Sequence, residues 1–280
     1  MPELPEAEVV ARQLRARLSG AVLKDCWVGR SDIVREGLDR LDWYRGARLA
    51  EVSRHGKSVA LAFERGVERR YLVAELGMTG LLLFRAPSAA YEKHTHLILS
   101  FEGACEPEAR YWNPRRFGRV HLLDRPGLDR FLARRFGADP LTIAWPAFRD
   151  LVRARRGRLK ALLMHQQVLA GIGNIYANEI LYRARLHPYR RASSLRAETI
   201  RRLYDTMRTV LGEAIAAGGS SVRDFLAPDG SRGRYQEQHL VYDREGRPCP
   251  VRCGRTIRRL PGERSSFYCP ACQPRGRSGR

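Results

Sequence analysis

Apolar and polar positions fall into three successive regimes along the chain. Over roughly the first 20 residues Val10, Leu14 and Leu18 recur at helical spacing. Pro5 suits the first turn of that helix, Glu6 and Glu8 favour its positive dipole end, and Gly20 is a natural stop. From there to about residue 123 the pattern becomes short β-rich runs broken by turn residues, clearest in SVALAF (58–63), RYLVAEL (70–76), GLLLF (80–84), THLILSF (95–101) and GRVHLL (118–123). So many short strands predict a β-sandwich or barrel. After FGADPL (136–141) the spacing turns helical. One pattern holds Phe148, Leu151, Val152, Leu159, Leu162 and Leu163, the next Ile175, Ile180 and Leu181, and a third Ile200, Leu203, Met207, Val210 and Leu211. The stretch GGSSVRDFLAPDGSRG (218–233) reads as a long loop, and loops of that length are commonly functional or mobile.

Composition sharpens this picture. The 280 residues, 44% of them hydrophobic, suffice for two packed domains with a small appendage, which disfavours wholesale disorder. No apolar run approaches the ~20 residues of a membrane span, and the acidic start MPELPEAEVV is unlike a signal peptide. A soluble, cytoplasmic protein is expected. A net charge of +21 points to a polyanionic partner, because each cation placed on a phosphate releases condensed counterions. Of the 51 basic residues only Lys24, Lys57, Lys93 and Lys160 are lysines, so each is a candidate for a task that arginine cannot perform.

Four of the six cysteines close the chain as Cys249-x3-Cys253 and Cys269-x2-Cys272. Two short pairs joined by a hairpin suit one tetrahedral Zn²⁺, and four thiolates leave no open position, so the metal would be structural. Cys26 and Cys105 stand alone in strand-like contexts and are expected in the core.

Proline at position 2 is small enough for Met1 to be removed, which would expose a secondary amine with a pKa near the α-amino value of about 8. Such an amine attacking a sugar aldehyde carbon gives an iminium, an electron sink for elimination, and Glu3 stands beside it as an acid–base group. Taken locally, the same residues are simply a good helix start.

The whole chain carries more information. It resembles the formamidopyrimidine-DNA glycosylase family, in order, at PELPEAEVV (2–10), RHGK (54–57), LGMTG (76–80), KHTH (93–96), NPRRFG (113–118), GIGNIYANEILYRARLHP (171–188), residues 220–242 and ERSSFYCPAC (263–272). The resemblance implies an α+β fold: an N-terminal helix plus β-sandwich catalytic domain (1–135), a linker (136–145), and a helical domain with a helix–two-turn–helix motif (146–240). It further implies a lesion-capping loop (218–235), a zinc-finger β-hairpin (241–273) and a basic tail (274–280). Pro2 matches the nucleophile, Glu3 the general acid–base, Glu6 a supporting acid, and Lys57 a lysine on a hairpin tip that contacts phosphate and the damaged nucleotide. Met78, Arg115 and Phe117 match residues that enter the duplex when the nucleotide is turned out. His96, Lys160, Asn174 and Arg264 match DNA-contact positions, and Cys249, Cys253, Cys269 and Cys272 the zinc ligands. Extrusion costs a few kcal/mol of unstacking, which apolar wedges and a partner for the widowed base offset. Asn174 also opens a helix after two glycines, where free N–H groups favour a phosphate.

Four positions depart from the family pattern: Glu75 where His is frequent, Thr95 and Asn113 where Asp is frequent, and the Cys-x3-Cys spacing. The expected activity is excision of oxidised purines from duplex DNA, followed by β,δ-elimination at the abasic site, by a monomer with no membrane partner. Leu4 and the 218–235 loop favour this over an endonuclease VIII-type enzyme for oxidised pyrimidines. Pro2 and Glu3 favour it over a catalytically silent binder of damaged DNA.

Overall fold

The computed structural model describes residues 2–222, 224–262 and 264–275. The chain divides into two compact units, Met1–Arg135 with Ile215–Gln236, and Phe136–Ala214 with Glu237–Arg280. The 218–235 segment, assigned by sequence to the helical domain, therefore belongs to the first unit.

The first unit opens with helix α1 (Leu4–Leu18). Glu3 caps it in a reciprocal box with Glu6, so two orphan N–H groups of the first turn are satisfied. Its apolar stripe, Ala7, Val10, Ala11, Leu14 and Leu18, is buried in the main core. Nine strands follow among the described residues: β1 (Val22–Val28), β2 (Val34–Glu36), β3 (Arg48–His55), β4 (Ser58–Arg65), β5 (Glu68–Glu75), β6 (Leu81–Phe84), β7 (Thr95–Glu102), β8 (Glu108–Trp112) and β9 (Val120–Leu123). They pair in the order β2-β9-β5-β4-β3-β1-β7-β8-β6. The series is nearly severed in the middle, because β1 and β3 share only the pair Val22↔Arg48, while both strands carry register shifts beside it. Bulges of this kind bend a strand, and the two leaves close as a sandwich over a core that includes Leu23, Val52, Leu61, Leu72, Leu83, Leu99 and Tyr111.

A short helix that the sequence pattern does not show, α2 (Arg125–Arg135), packs on β5 and β9. Four of its eleven residues are arginine. Its start signal is local: the Asp124 carboxylate accepts from Gly127 N at 2.8 Å, with Pro126 in the first turn.

The second unit holds α3 (Trp145–Arg153), α4 (Leu159–Met164), α5 (Asn174–Arg183), most of α6 (Ala197–Ala216) and a hairpin of β10 (Arg258–Leu260) with β11 (Ser266–Tyr268). Residues 136–145, expected as a linker, are tied into this unit: Gly137 N donates to Gln166 O at 2.9 Å and Ala138 N to Val168 O at 3.1 Å. Helix α5 is buried from Ile175 through Tyr182, so its polar residues must find internal partners. Tyr182 joins Val241, Ile257, Phe267, Cys249 and Cys269 in a small separate core. Among the described residues no helix is long and apolar enough to cross a membrane. Residues 276–280 of the expected basic tail lie outside the described residues.

Candidate active site and nucleic-acid interface

The N-terminal turn is enclosed. Pro2 is buried, and Glu3 and Glu6 are each 1% exposed. Both Glu6 oxygens are committed: Oε2 accepts from Glu3 N at 2.7 Å, and Oε1 from Ser220 N at 2.7 Å. Glu6 thus joins the backbone beside Pro2 to the neck of the 218–235 loop. Gly219 makes this possible, with φ of +82° and space for no side chain, since a Cβ there would stand 2.8 Å from Glu6 Oε1.

The loop itself is closed and docked. Tyr235 N donates to Gly219 O at 3.0 Å and Arg234 N to Ala217 O at 2.9 Å. Gln13 and Asp229 bond each other twice, and Phe84 N donates to Pro228 O at 2.7 Å.

Lys57 stands at the tip of the β3–β4 hairpin, beside Gly56 at φ +58°. The hairpin is braced by Arg54, whose side chain is nearly buried and donates to Glu8 Oε2 at 2.9 Å and to Gly56 O at 3.1 Å. Burial pushes the Glu8 carboxyl up, but Arg12 and Arg54 more than offset this and hold it below the usual carboxylate range. Arg54 was not singled out from sequence, although it lies in the RHGK motif.

Met78 and Phe117 are exposed at 39% and 61%, uncommon for large apolar side chains, and the Arg115 guanidinium lies 5.3 Å from the Phe117 ring centre. The two loops that carry them meet back to back. A Cβ on Gly77 would stand 2.5 Å from Gly118 N, and one on Gly118 2.0 Å from Glu75 O. Buried Asn113 locks this contact: its Nδ2 donates to Tyr111 Oη at 2.9 Å and to Gly118 O at 3.3 Å, while Tyr111 Oη donates to Glu75 O at 2.6 Å. An aspartate could not make the two Nδ2 donations, which gives the Asn113 departure a physical reason. Glu75 is likewise accommodated, with one oxygen on His121 Nε2 at 3.1 Å and the other on Arg135. Thr95 is buried, and nothing in the structure explains its choice.

Two residues expected to meet DNA are instead buried. His96, 4% exposed, bonds Asn113 O at 3.0 Å, and burial pulls its imidazole below the ordinary value. Lys160, 5% exposed, donates to Ser265 O at 2.7 Å, Ser266 Oγ at 2.9 Å and Arg264 O at 3.2 Å. An ammonium suits three acceptors arranged around a point, and its effect is to fix the hairpin tip. Arg264 itself is exposed on that tip.

Asn174 is the first residue of α5, and the Gly171–Gly173 turn before it is braced by Gln166, which accepts from Gly171 N at 2.9 Å and donates to Ile172 O at 2.9 Å. Further along, Asn178 Oδ1 accepts from Phe267 N at 2.8 Å, and Glu179 accepts from Leu240, Val241 and Tyr242 N–H at 2.8–3.0 Å. These partners hold the terminal hairpin to the helix that begins with Asn174.

Cys249, Cys253, Cys269 and Cys272 bring their sulfur atoms within 4.8 Å of one another, close enough to hold one metal ion. The Cys249–Cys272 and Cys253–Cys269 sulfur pairs are 3.7 and 3.4 Å apart, near the roughly 3.8 Å edge of a tetrahedron with metal–sulfur bonds of about 2.3 Å. Tyr182 Oη lies 3.2 Å from Cys249 Sγ. The extra residue of the first pair is absorbed by Arg252 at φ +54°, whose N–H returns to Cys249 O at 2.8 Å.

A β-sandwich led by a capped helix, followed by a helical unit with a four-cysteine hairpin, defines a class of DNA-repair protein, and the comparisons agree. Residues 1–120 match the formamidopyrimidine-DNA glycosylase N-terminal domain, and residues 136–226 the formamidopyrimidine-DNA glycosylase H2TH domain. A formamidopyrimidine-DNA glycosylase of Thermus thermophilus is 43% identical, over 99% of this chain and all of the relative. That of Pelotomaculum thermopropionicum is 38% identical, over 98% and 99%. Among solved structures, the MutM (Fpg) protein of Thermus thermophilus superposes with a TM-score of 0.84 at 40% identity, covering 99% of this chain and 100% of that one. Lactococcus lactis Fpg in complex with DNA containing an abasic site gives 0.86 at 32% identity, covering 97% and 99%. The chain belongs to the formamidopyrimidine-DNA glycosylase family.

Proposed function

We propose that this DNA glycosylase removes oxidised purines from duplex DNA and then cuts the abasic strand, with Pro2 as the nucleophile. The observation that carries this is the enclosed N-terminal turn in which Glu6 links the Glu3 backbone to Ser220. It fixes the first residues against the 218–235 loop. Removal of Met1 would free the Pro2 nitrogen as a secondary amine at this enclosed turn.

Its lone pair forms a bond to C1′ as the glycosidic bond breaks; the bonding electrons leave with the base, which takes up the proton that the Pro2 nitrogen sheds. Glu3 delivers a proton to the ring oxygen as the sugar opens to the iminium. Loss of a C2′ proton then expels the 3′ phosphate, and loss of a C4′ proton the 5′ phosphate. Lys57 holds the nucleotide's phosphate, while Met78, Arg115 and Phe117 fill the duplex behind the extruded nucleotide. Asn174 and Arg264 hold backbone phosphates. Lys160 and His96 serve by positioning the Arg264 tip and the Asn113 loop.

The four cysteines hold one structural Zn²⁺, which contributes folding free energy to the hairpin and no step of the reaction. The enzyme works as a cytoplasmic monomer. A lesion-competition assay tests the substrate class: duplexes carrying 8-oxoguanine or a formamidopyrimidine are cut in preference to those carrying an oxidised pyrimidine. The reverse preference would assign the chain to pyrimidine repair.

A further inference from the structure

Two arginine-rich segments of the second unit, 153–158 and 189–191, lie side by side. Arg158 pairs with Arg191 in an antiparallel bridge, Leu159 N donates to Arg190 O at 2.9 Å, and Ala192 N donates to Gly157 O at 2.9 Å. The backbone thus gathers Arg155, Arg156, Arg158, Arg190 and Arg191 into one ribbon. Four of these are exposed and Arg190 is half-buried. Among the described residues none of the five has a carboxylate partner. In the same unit Arg149 pairs with Asp150, Arg183 with Glu213 and Arg201 with Asp205. Like charges held this close repel one another, and a fold with acids available elsewhere has left them uncompensated.

The ribbon is continuous with the hairpin tip. The Arg158 guanidinium lies 4.2 Å from the centre of the Tyr189 ring, and Tyr189 Oη donates to Pro261 O at 3.2 Å. Lys160 bonds Pro188 O through its backbone N–H at 3.3 Å and Arg264 O through its ammonium at 3.2 Å. The ribbon therefore has a fixed place relative to exposed Arg264, and its aromatic backing limits the freedom that Arg158 loses on binding.

We propose that this ribbon is an additional duplex-DNA surface, one that takes backbone phosphates beyond those held by Asn174 and Arg264. This rests on the glycosylase reading above and extends it to residues that the family resemblance did not single out. It reads no sequence. It acts in nonspecific association, so its signature is the salt dependence of binding.

The test compares wild type with a variant carrying Gln at all five positions and another carrying Lys at all five. Binding to undamaged duplex and to duplex with a tetrahydrofuran abasic analogue is followed against salt. Each phosphate contact adds about 0.9 to the log–log slope. Loss of three contacts lowers the slope by roughly 2.7, so the affinity lost between about 50 and 200 mM salt shrinks by about 40-fold. The Gln variant is expected to show this on both duplexes, to keep its melting temperature and to keep its single-turnover excision rate at saturating protein. The Lys variant should retain the slope. An unchanged slope in the Gln variant overturns the proposal, as does equal loss in the Lys variant, because charge would then not be the agent. Wild type that binds undamaged duplex but excises no lesion would instead count against the glycosylase reading, and the slope on undamaged duplex would still decide the ribbon.

Discussion

Placing alanine at Gly219 strains the neck of the 218–235 loop in two ways. The residue sits at φ +82°, where a side chain costs about 1–2 kcal/mol. The new Cβ would also stand 2.8 Å from Glu6 Oε1 and 3.0 Å from its Cγ. Glu6 has nowhere to retreat without releasing Ser220 N or Glu3 N, and a hydrogen bond to a charged group is worth roughly 1.5–3 kcal/mol. The combined cost is about 3–5 kcal/mol, which for a unit of this size lowers the melting temperature by about 10 °C. Excision measured in single turnover should fall by an order of magnitude or more, since the turn beside Pro2 loses its tie. A double-mutant cycle isolates the clash. In a Glu6→Ala background Gly219→Ala should cost only the backbone strain of about 1–2 kcal/mol, leaving a coupling of about 2 kcal/mol. Equal costs in both backgrounds, or an alanine variant as stable and active as wild type, would refute the reasoning.

Phe117→Ala and Met78→Ala, at exposed positions, should shift stability by no more than about 0.5 kcal/mol. They should still slow lesion excision about ten-fold, because unstacking then goes uncompensated; parallel melting and excision assays check this, and normal excision would remove the wedge role. Lys160→Met strands three acceptors at the hairpin tip and should cost about 2–3 kcal/mol by denaturant unfolding. It should weaken DNA binding as much as Arg264→Ala does, and Lys160→Arg should not rescue it, because a planar fork cannot replace the ammonium. Burial, with help from Arg244, holds the His239 imidazole down at about 4. Its unfolded counterpart takes a proton near 6.5, so its contribution to stability is full above that pH and is lost as pH falls towards 4, by up to about 3 kcal/mol. A His239→Gln variant should show a flatter acid limb in its unfolding free energy, and an unchanged limb would contradict this.

The elements with strong periodicity were legible in the sequence. Helix α1, strands β4, β5, β6, β7 and β9, and helices α5 and α6 fall where apolar spacing placed them, whereas the single pattern read over Phe148–Leu163 is broken into α3 and α4. Strands β1, β3 and β8 were not, because charged residues interrupt their alternation, as in LKDC and LAEVSRH. Helix α2 was hidden because its stability comes from packing on the sheet and from the Asp124 cap, with little apolar stripe of its own. The chemistry-bearing residues were legible as motifs, but what each side chain bonds to was not. Lys160 and His96 carry the right residue types for phosphate, yet tertiary packing turns them inward. Asn113, noted only as a departure, proves to be the donor that locks two loops together. Such roles depend on neighbours distant in sequence, which one chain without its fold does not display.

Borohydride trapping on a duplex with a single 8-oxoguanine, followed by peptide mapping, tests the Pro2 assignment most directly. The account predicts one covalent DNA adduct on the peptide that begins with Pro2, abolished by an uncleaved N-terminal extension that turns the Pro2 amine into an amide. An adduct mapped to a lysine, or one that survives the extension, would contradict it.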